Sequence, residues 1–94
     1  MNIRVSRAVL SKESSYPVYI SKEFSLDLIP VVGMHFYDLI FQGGIKIIEV
    51  ILDANENKYC VLLEEDNSLF DQSKAVFDKA LKNFAESYQW TSNN

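Results

Sequence analysis

The sequence is poor in the residues from which most catalytic and metal sites are built. Its 94 residues include one cysteine, Cys60, and one histidine, His35. A single cysteine excludes an intramolecular disulfide and is typical of a buried thiol in a reducing compartment. The short Cys and His spacings of zinc sites are absent, and no serine lies in a nucleophile-elbow sequence. We therefore expect no enzymatic activity, no catalytic residue, no metal and no cofactor.

Positive charge is scarce as well. Nine basic residues stand against 13 acidic ones, which gives a net charge of −4 at pH 7. The basic residues are scattered or alternate with acids, so they form no basic stripe. Because a phosphate backbone would be repelled on average, we expect no nucleic-acid partner.

Long apolar runs are also missing. Even the stretch 28–34 is interrupted by Pro30 and Gly33, and it is far shorter than a membrane span. The first ten residues break their apolar side chains with Arg4, Ser6 and Arg7, unlike the continuous apolar run of a signal peptide. These features predict no membrane association and a cytoplasmic location.

The residues that are present are those of a packed domain. Apolar residues make up 48 % of the chain and aromatic residues 13 %, and the length suits one domain spanning 1–94. Residues 16–28 alternate apolar and polar side chains with period two, which indicates a half-buried antiparallel strand. The same reasoning, with the glycine pair Gly43–Gly44 as a hairpin turn, predicts further strands at 3–10, 34–41, 45–52 and 58–64.

After residue 64 the apolar period changes from two to that of a helix. The apolar side chains at this spacing are Phe70, Phe77, Leu81, Phe84 and Tyr88. Ser68 followed by Asp71 resembles a capping box, so the predicted helix covers 69–89, packs Phe70 and Phe77 onto the sheet, and leaves 91–94 frayed. The predicted fold class is α+β: an antiparallel sheet of about five strands, a meander either open or curled into a small barrel, packed against one C-terminal amphipathic helix.

One motif resembles a calcium loop. Asp53, Asn55, Asn57 and Glu64 occupy its first, third, fifth and twelfth positions. The sixth position, which requires glycine for a sharp turn, is Lys58, and the flanking segments are predicted strands instead of helices. Asp and Asn are equally typical of a hairpin loop, so we interpret this segment as a turn.

The central strands point to association with another chain. The predicted strands 34–41, 45–52 and 58–64 are apolar on both faces, and a single helix covers only one of them. The second face needs a barrel, the N-terminal strands or another molecule as its cover. We expect a small protein-interaction module or regulator that binds a protein partner or forms a homodimer through the sheet.

Four aromatic residues are predicted at this contact, because aromatic side chains are enriched in interface cores. They are Tyr19, His35, Tyr37 and Trp90. An alternative function is the binding of a small apolar ligand in a pocket between sheet and helix. A third, enzymatic alternative would combine Cys60 and His35 with an acid.

Overall fold

The chain adopts the α+β fold that the sequence predicts. In the computed structural model, which describes residues 1–93, six strands form one curled sheet, a half-barrel, accompanied by one helix. The elements are β1 (Asn2–Val9), β2 (Val18–Ser25), β3 (His35–Phe36), β4 (Ile45–Asp53), β5 (Lys58–Leu63), α1 (Lys74–Tyr88) and β6 (Thr91–Ser92). The strand order is β3-β4-β5-β1-β2-β6, so the two shortest strands lie at the edges.

The sheet is mixed, and the prediction of a purely antiparallel sheet is wrong. β1 pairs with β2 in the antiparallel sense but with β5 in the parallel sense, where Val5 lies opposite Val61. Alternation along a strand specifies which side chains face the core, but it does not specify which strand becomes the neighbour. The parallel pair was therefore not predictable from the pattern.

The core lies between α1 and the face of the sheet directed toward it, here called the inner face. Val18 and Ile20 are buried there, and Phe24 and Leu26 pack against them, as the period of two predicts. The remaining buried apolar residues are Ile3, Val5, Val9, Phe41, Ile47, Val61, Leu63, Phe77, Leu81 and Trp90. β2 is shorter than predicted, because residues 16 and 17 lie in the preceding loop and residues 26–28 leave the ladder.

The third predicted strand, 34–41, is reduced to two residues. The chain turns after Phe36, and the backbone N–H of Phe41 donates to the carbonyl of Asp38 at 2.9 Å. This turn buries Phe41 in the core, and the Asp38 carboxylate accepts the indole N–H of Trp90. Tertiary packing of one aromatic ring and one carboxylate thus overrides the strand propensity of the segment.

The helix begins at Lys74, five residues later than predicted. Ser73 is its N-cap, and the Ser73 hydroxyl accepts the backbone N–H of Val76 at 3.3 Å. Residues upstream form turns because the Asp66 carboxylate accepts the N–H of Ser68 at 2.9 Å. The expected capping box at Ser68 is therefore an Asx turn.

The late start of α1 changes the packing face. Phe77 and Leu81 are buried and Phe84 packs against the core, as predicted. Phe70, which the sequence places on the same face, lies before the helix and is 40 % exposed. Its carbonyl instead accepts the N–H of Lys12 at 3.2 Å, which ties the segment to the loop after β1.

The C-terminal end of α1 is fixed by a left-handed (αL) cap. Gln89 adopts a left-handed conformation with φ of 60°, its N–H donates to the carbonyl of Ala85, and that of Trp90 donates to the carbonyl of Phe84 at 2.9 Å. The chain then pairs with β2 as β6. The predicted fraying is wrong for residues 91 and 92, and residue 94 lies outside the described residues.

Candidate functional site

The four predicted contact residues occupy different places in the fold. Tyr19 lies on the outer face of β2 and is 40 % exposed. His35 and Tyr37 lie two residues apart at and just after β3, and both are exposed. Trp90 is completely buried. The structure therefore brings two of the four residues together, leaves Tyr19 on a separate surface, and removes Trp90 from the surface of this chain.

The prediction of Trp90 as a contact residue is wrong because the end of α1 directs the ring inward. The indole N–H donates to the Asp38 carboxylate at 2.7 Å. The ring centroid lies 5.3 Å from that of Phe41 and 6.0 Å from that of Phe24. Both aromatic pairs are edge-on or tilted, the arrangement that aromatic cores favour. Trp90 is thus a central core residue, and no sequence pattern identified Asp38 as its partner.

The most apolar exposed segment is residues 28–39, here called the apolar loop. It crosses from the end of β2 to the start of the turn after β3. Its large exposed side chains, each between 44 and 74 % accessible, are Leu28, Ile29, Val31, Val32, Met34, Tyr37 and Leu39. A contiguous run of this kind is typical of an interaction site.

The apolar loop is attached to β4. The N–H of Gly33 donates to the carbonyl of Ile47 at 2.9 Å, and the N–H of Ile47 donates to the carbonyl of Met34 at 2.8 Å. Gly33 has a φ of +97°, a conformation that glycine adopts without steric cost. These contacts place the loop alongside β4 immediately before the strand becomes an open edge.

That open edge is the second half of β4. β3 pairs only with Ile45 and Lys46, and within residues 1–93 the segment Glu49–Asp53 has no strand neighbour on the side away from β5. Ile51 and Leu52 are each more than half exposed. We call residues 48–53 together with the apolar loop the β4 edge surface.

The outer face of the sheet is only partly apolar. At its middle, Ile51 of β4 lies opposite Cys60 of β5, and Leu62 lies opposite Ser6 of β1. Cys60 and Leu62 are half-buried, because the curl of the sheet and neighbouring side chains shield them. This face is therefore less exposed and less apolar than the β4 edge surface.

One end of the outer face is charged around Lys58, the first residue of β5. Its Nζ lies 2.6 Å from the Glu56 carboxylate and 2.9 Å from the Glu23 carboxylate, while Arg4 lies 3.4 Å from Glu23. Lys58 is buried even though it is charged. Hydrogen bonds to Glu56 and Glu23 raise the pKa of Lys58, and the hydrogen bond and charge of Lys58 lower the pKa of Glu23.

A cleft of about 380 Å³ lies on the inner face of the sheet, beside Arg7. The Arg7 Nε donates to the carbonyl of Glu64 at 2.7 Å, and the guanidinium lies 5.1 Å above the centre of the Phe41 ring. Burial lowers the pKa of Arg7, although Asp66 and Glu64 act in the opposite direction. Arg7 thus joins β1 to the segment after β5, a role that sequence reasoning missed.

The enzymatic alternative finds no support in this geometry. His35 lies opposite Lys46 and Cys60 lies opposite Ile51, so their positions differ by five residues along β4, or about 17 Å. Among residues 1–93, no group of three His, Cys, Asp or Glu side chains is arranged to hold a metal ion. The Cys60–His35 pair that this alternative requires is therefore not formed.

Comparison of the chain with family models, curated proteins and solved structures found no significant match. Within the described residues, no helix has the length and apolar character needed to cross a membrane.

Proposed function

We propose that this chain is a non-catalytic protein-interaction module that forms a homodimer through the β4 edge surface. One observation supports this most. Among the described residues, ten of the fifteen large apolar side chains that are exposed lie in the apolar loop or at Ile48, Ile51 and Leu52. Apolar exposure is thus concentrated in two segments that hydrogen bonds at Ile47 hold side by side.

The exposed apolar area of the β4 edge surface is of the order that a dimer interface requires. A specific interface removes about 800 Å² from each partner, whereas the largest apolar patch of a typical monomer is about 300–600 Å². Ten large apolar side chains that are each 44–74 % exposed supply an area of the same order as that of a specific interface. A second copy is the simplest partner, because a two-fold contact buries the same surface on both chains.

The edge of β4 suits pairing of main chains. Exposed edges are usually protected by lysine, proline or inward charges, and the sequence Glu49–Asp53 has none of these between Val50 and Leu52. Antiparallel pairing of two β4 edges would satisfy the open backbone groups of both strands and continue the sheet across the two-fold axis.

Charge selects the register of this pairing. Centring the two strands on Ile51 would place Glu49 opposite Asp53 of the second copy, and like charges in opposing positions are destabilising. Centring them on Val50 places Glu49 opposite Ile51 and Ile48 opposite Leu52. We propose the Val50-centred register because it avoids acid facing acid.

The proposed location is the cytoplasm. The one cysteine, Cys60, is a free, half-buried thiol in the structure. A free thiol of this kind suits a reducing compartment.

Sedimentation of the purified protein at micromolar concentrations tests the dimer. The wild type is expected to sediment with the mass of two chains, and Leu52→Lys with the mass of one, because it places a charge against Ile48 of the second copy. Val76→Lys is the matched control: Val76 is also about half exposed but lies on α1. It is expected to remain dimeric.

The Val50-centred register of the two β4 strands can be tested separately. In the Val50-centred pairing, a lysine at position 51 faces Glu49 of the second copy, so Ile51→Lys is expected to retain the dimer that Leu52→Lys loses. A wild-type protein that sediments as one chain would contradict the proposal. A dimer that survives Leu52→Lys would place the contact elsewhere, for instance on the outer face at Tyr19.

A further inference from the structure

A cavity of about 180 Å³ lies between the inner face of the sheet and the apolar loop. Ile3, Val5, Val61 and Ile47 form its floor, and Leu28 and Met34 contribute to its outer wall. α1 contributes no lining residue, so this cavity differs from the predicted pocket between sheet and helix. Val5 and Val61 lie directly opposite each other on β1 and β5.

The lining defines the chemistry of an occupant. No charged side chain of residues 1–93 lines the cavity, so a charged group would lose its hydration there without a partner. A cavity of about 150 Å³ with comparable aliphatic and aromatic walls holds one benzene molecule, and this cavity is slightly larger. The occupant that fits is therefore neutral and about the size of one aromatic ring.

The rim supplies polar groups. His35 and Tyr37 both line the cavity and both are exposed, so these two residues lie at its mouth. Gly44 contributes to the placement of His35, since a Cβ at position 44 would lie 2.9 Å from the Cβ of His35. An apolar wall with a few polar groups at one end is the usual form of a small-molecule site.

We propose that this cavity binds a neutral small molecule built on a single aromatic ring, with a hydrogen-bonding substituent directed toward His35 and Tyr37. This inference is independent of the dimer, because the floor of the cavity belongs to the inner face. Leu28, Met34 and Tyr37 are shared, since they line the cavity and are also exposed on the β4 edge surface. Occupancy of the cavity is therefore expected to affect the conformation of the apolar loop.

Phenol and benzene are suitable probes, observed through methyl resonances of the labelled full-length protein. Phenol at millimolar concentrations is expected to shift the methyl signals of Val5, Val61 and Ile47 saturably, and to leave those of Val9 and Val18 in place. Benzene is expected to shift the same methyl groups with several-fold weaker affinity, because it lacks the hydroxyl. Tyr37→Phe combined with His35→Ala should abolish that difference.

A filled cavity provides the control. Val61→Leu is expected to weaken phenol binding at least tenfold, whereas Val18→Leu, an equally buried valine that does not line the cavity, should bind phenol normally if it folds. Val5→Leu is a second blocking variant, and a thermal melt verifies that each variant is folded. Absence of saturable shifts in the wild type, or equal affinity in folded Val61→Leu and Val5→Leu, would overturn the proposal.

The experiment must also distinguish a small molecule in the cavity from a side chain of a second copy of this chain. The monomeric Leu52→Lys variant is expected to bind phenol as the wild type does, which keeps a failed dimer separate from a failed ligand site. If the cavity methyl signals instead shift on dilution without phenol, and phenol dissociates the dimer, the cavity holds a side chain of the partner and the small-molecule proposal is wrong.

Discussion

The two ends of the inner sheet face are covered in different ways. At the end of β1 that contains Val9, the chain segment 66–70 and α1 complete a core in which Val9 has no accessible surface. At the other end, Ile3 and Val5 are just as inaccessible to solvent, yet they form the floor of a cavity beneath the apolar loop. Burial from solvent is therefore equal at both ends, but only at this end do the buried side chains of β1 line the cavity.

The difference between the two ends of the sheet arises from the element that covers each end, and not from the strands themselves. Val61 and Leu63 are two residues apart on the same face of β5, and both are buried, but only Val61 lines the cavity. A helix presents a regular stripe of side chains that can interdigitate with a sheet. The apolar loop contains Pro30 and Gly33, and most of its large side chains are turned to solvent. The end covered by α1 should accordingly determine stability, and the end covered by the loop should determine binding.

The largest effect expected from this comparison is that of Trp90→Ala. Truncation of a fully buried tryptophan costs about 3–5 kcal/mol, and it also leaves the Asp38 carboxylate without its indole donor. In a domain of about 5–10 kcal/mol total stability, the variant should be close to unfolded. Leu39→Ala in the apolar loop, where the side chain is 74 % exposed, should change the free energy of unfolding by less than about 0.5 kcal/mol. Chemical denaturation measures both, and equal losses would contradict the assignment of stability to the buried core instead of the exposed side chains of the loop.

The two phenylalanines that flank the start of α1 give the next comparison. Phe77→Ala should cost about 3–4 kcal/mol because Phe77 is buried on the helix. Phe70→Ala should cost less than about 1 kcal/mol because Phe70 lies in a turn and is 40 % exposed. From the sequence alone the two substitutions would be expected to act alike. Melting temperatures distinguish the two variants. A similar loss of stability in both would indicate that the helix begins at residue 69, as the sequence predicts.

Much of the fold was predictable because its signals are local. The period of two in β2 and the helical spacing of Phe77, Leu81 and Phe84 each depend on neighbours within a few residues. The wrong predictions concern features that depend on residues far apart in the sequence. The parallel pairing of β1 with β5, the bond between Trp90 and Asp38, and the left-handed Gln89 in a position that glycine usually occupies have no local signature.

The candidate site was predictable in part for the same reason. The predicted strands 34–41, 45–52 and 58–64 are apolar on both faces, which indicated a contact surface and led to His35 and Tyr37. The sequence placed that surface on a sheet face, however, whereas the surface that we propose lies on a loop and a strand edge. The β4 edge follows from the shortness of β3, which depends on Phe41 turning into the core.

Enlarging one valine at each end tests the packing difference directly. Val9→Leu adds volume to a core without free space and should cost about 1–3 kcal/mol. Val61→Leu adds the same volume beside a cavity of about 180 Å³ and should be neutral or stabilising by up to about 1 kcal/mol. Urea denaturation of the two variants gives both values. A loss of stability in Val61→Leu as large as that in Val9→Leu would mean that the loop end is as tightly packed as the helix end.

The charged network around Lys58 lies at the loop end and should make that end sensitive to pH. The pKa of Glu23 is lowered by Lys58, so its contribution to stability is present above the ordinary carboxyl pKa and is lost as the pH falls through the lower, folded value. The pKa of Lys58 is raised by Glu56 and Glu23, so its contribution is present below the ordinary lysine pKa and is lost as the pH rises through the higher value.

Hydrogen exchange followed as a function of pH measures this effect residue by residue. Amides near Lys58 and Glu23 should lose protection at acidic pH before those near Val9 do. Glu23→Gln should flatten the acidic part of this dependence, and Glu13→Gln, a change of the same type at an exposed loop residue, should leave it unchanged. Simultaneous loss of protection at both ends would show that the network does not distinguish them.

Calcium should have the smallest effect, namely none, although the turn between β4 and β5 resembles a calcium loop in sequence. The Asp53 carboxylate already accepts the backbone N–H groups of Asn55 and Glu56, both at 3.1 Å. Glu64, the twelfth position of the motif, follows β5, so about 20 Å of extended strand separates it from the turn. A calcium ion cannot contact both. Since ligand binding to the folded state raises its stability, the melting temperature should be the same with millimolar calcium and with a chelator. Asp53→Ala should lower the melting temperature equally in both conditions through loss of the turn. A calcium-dependent rise that disappears in Asp53→Ala would show that the loop end of the sheet rearranges to bind metal.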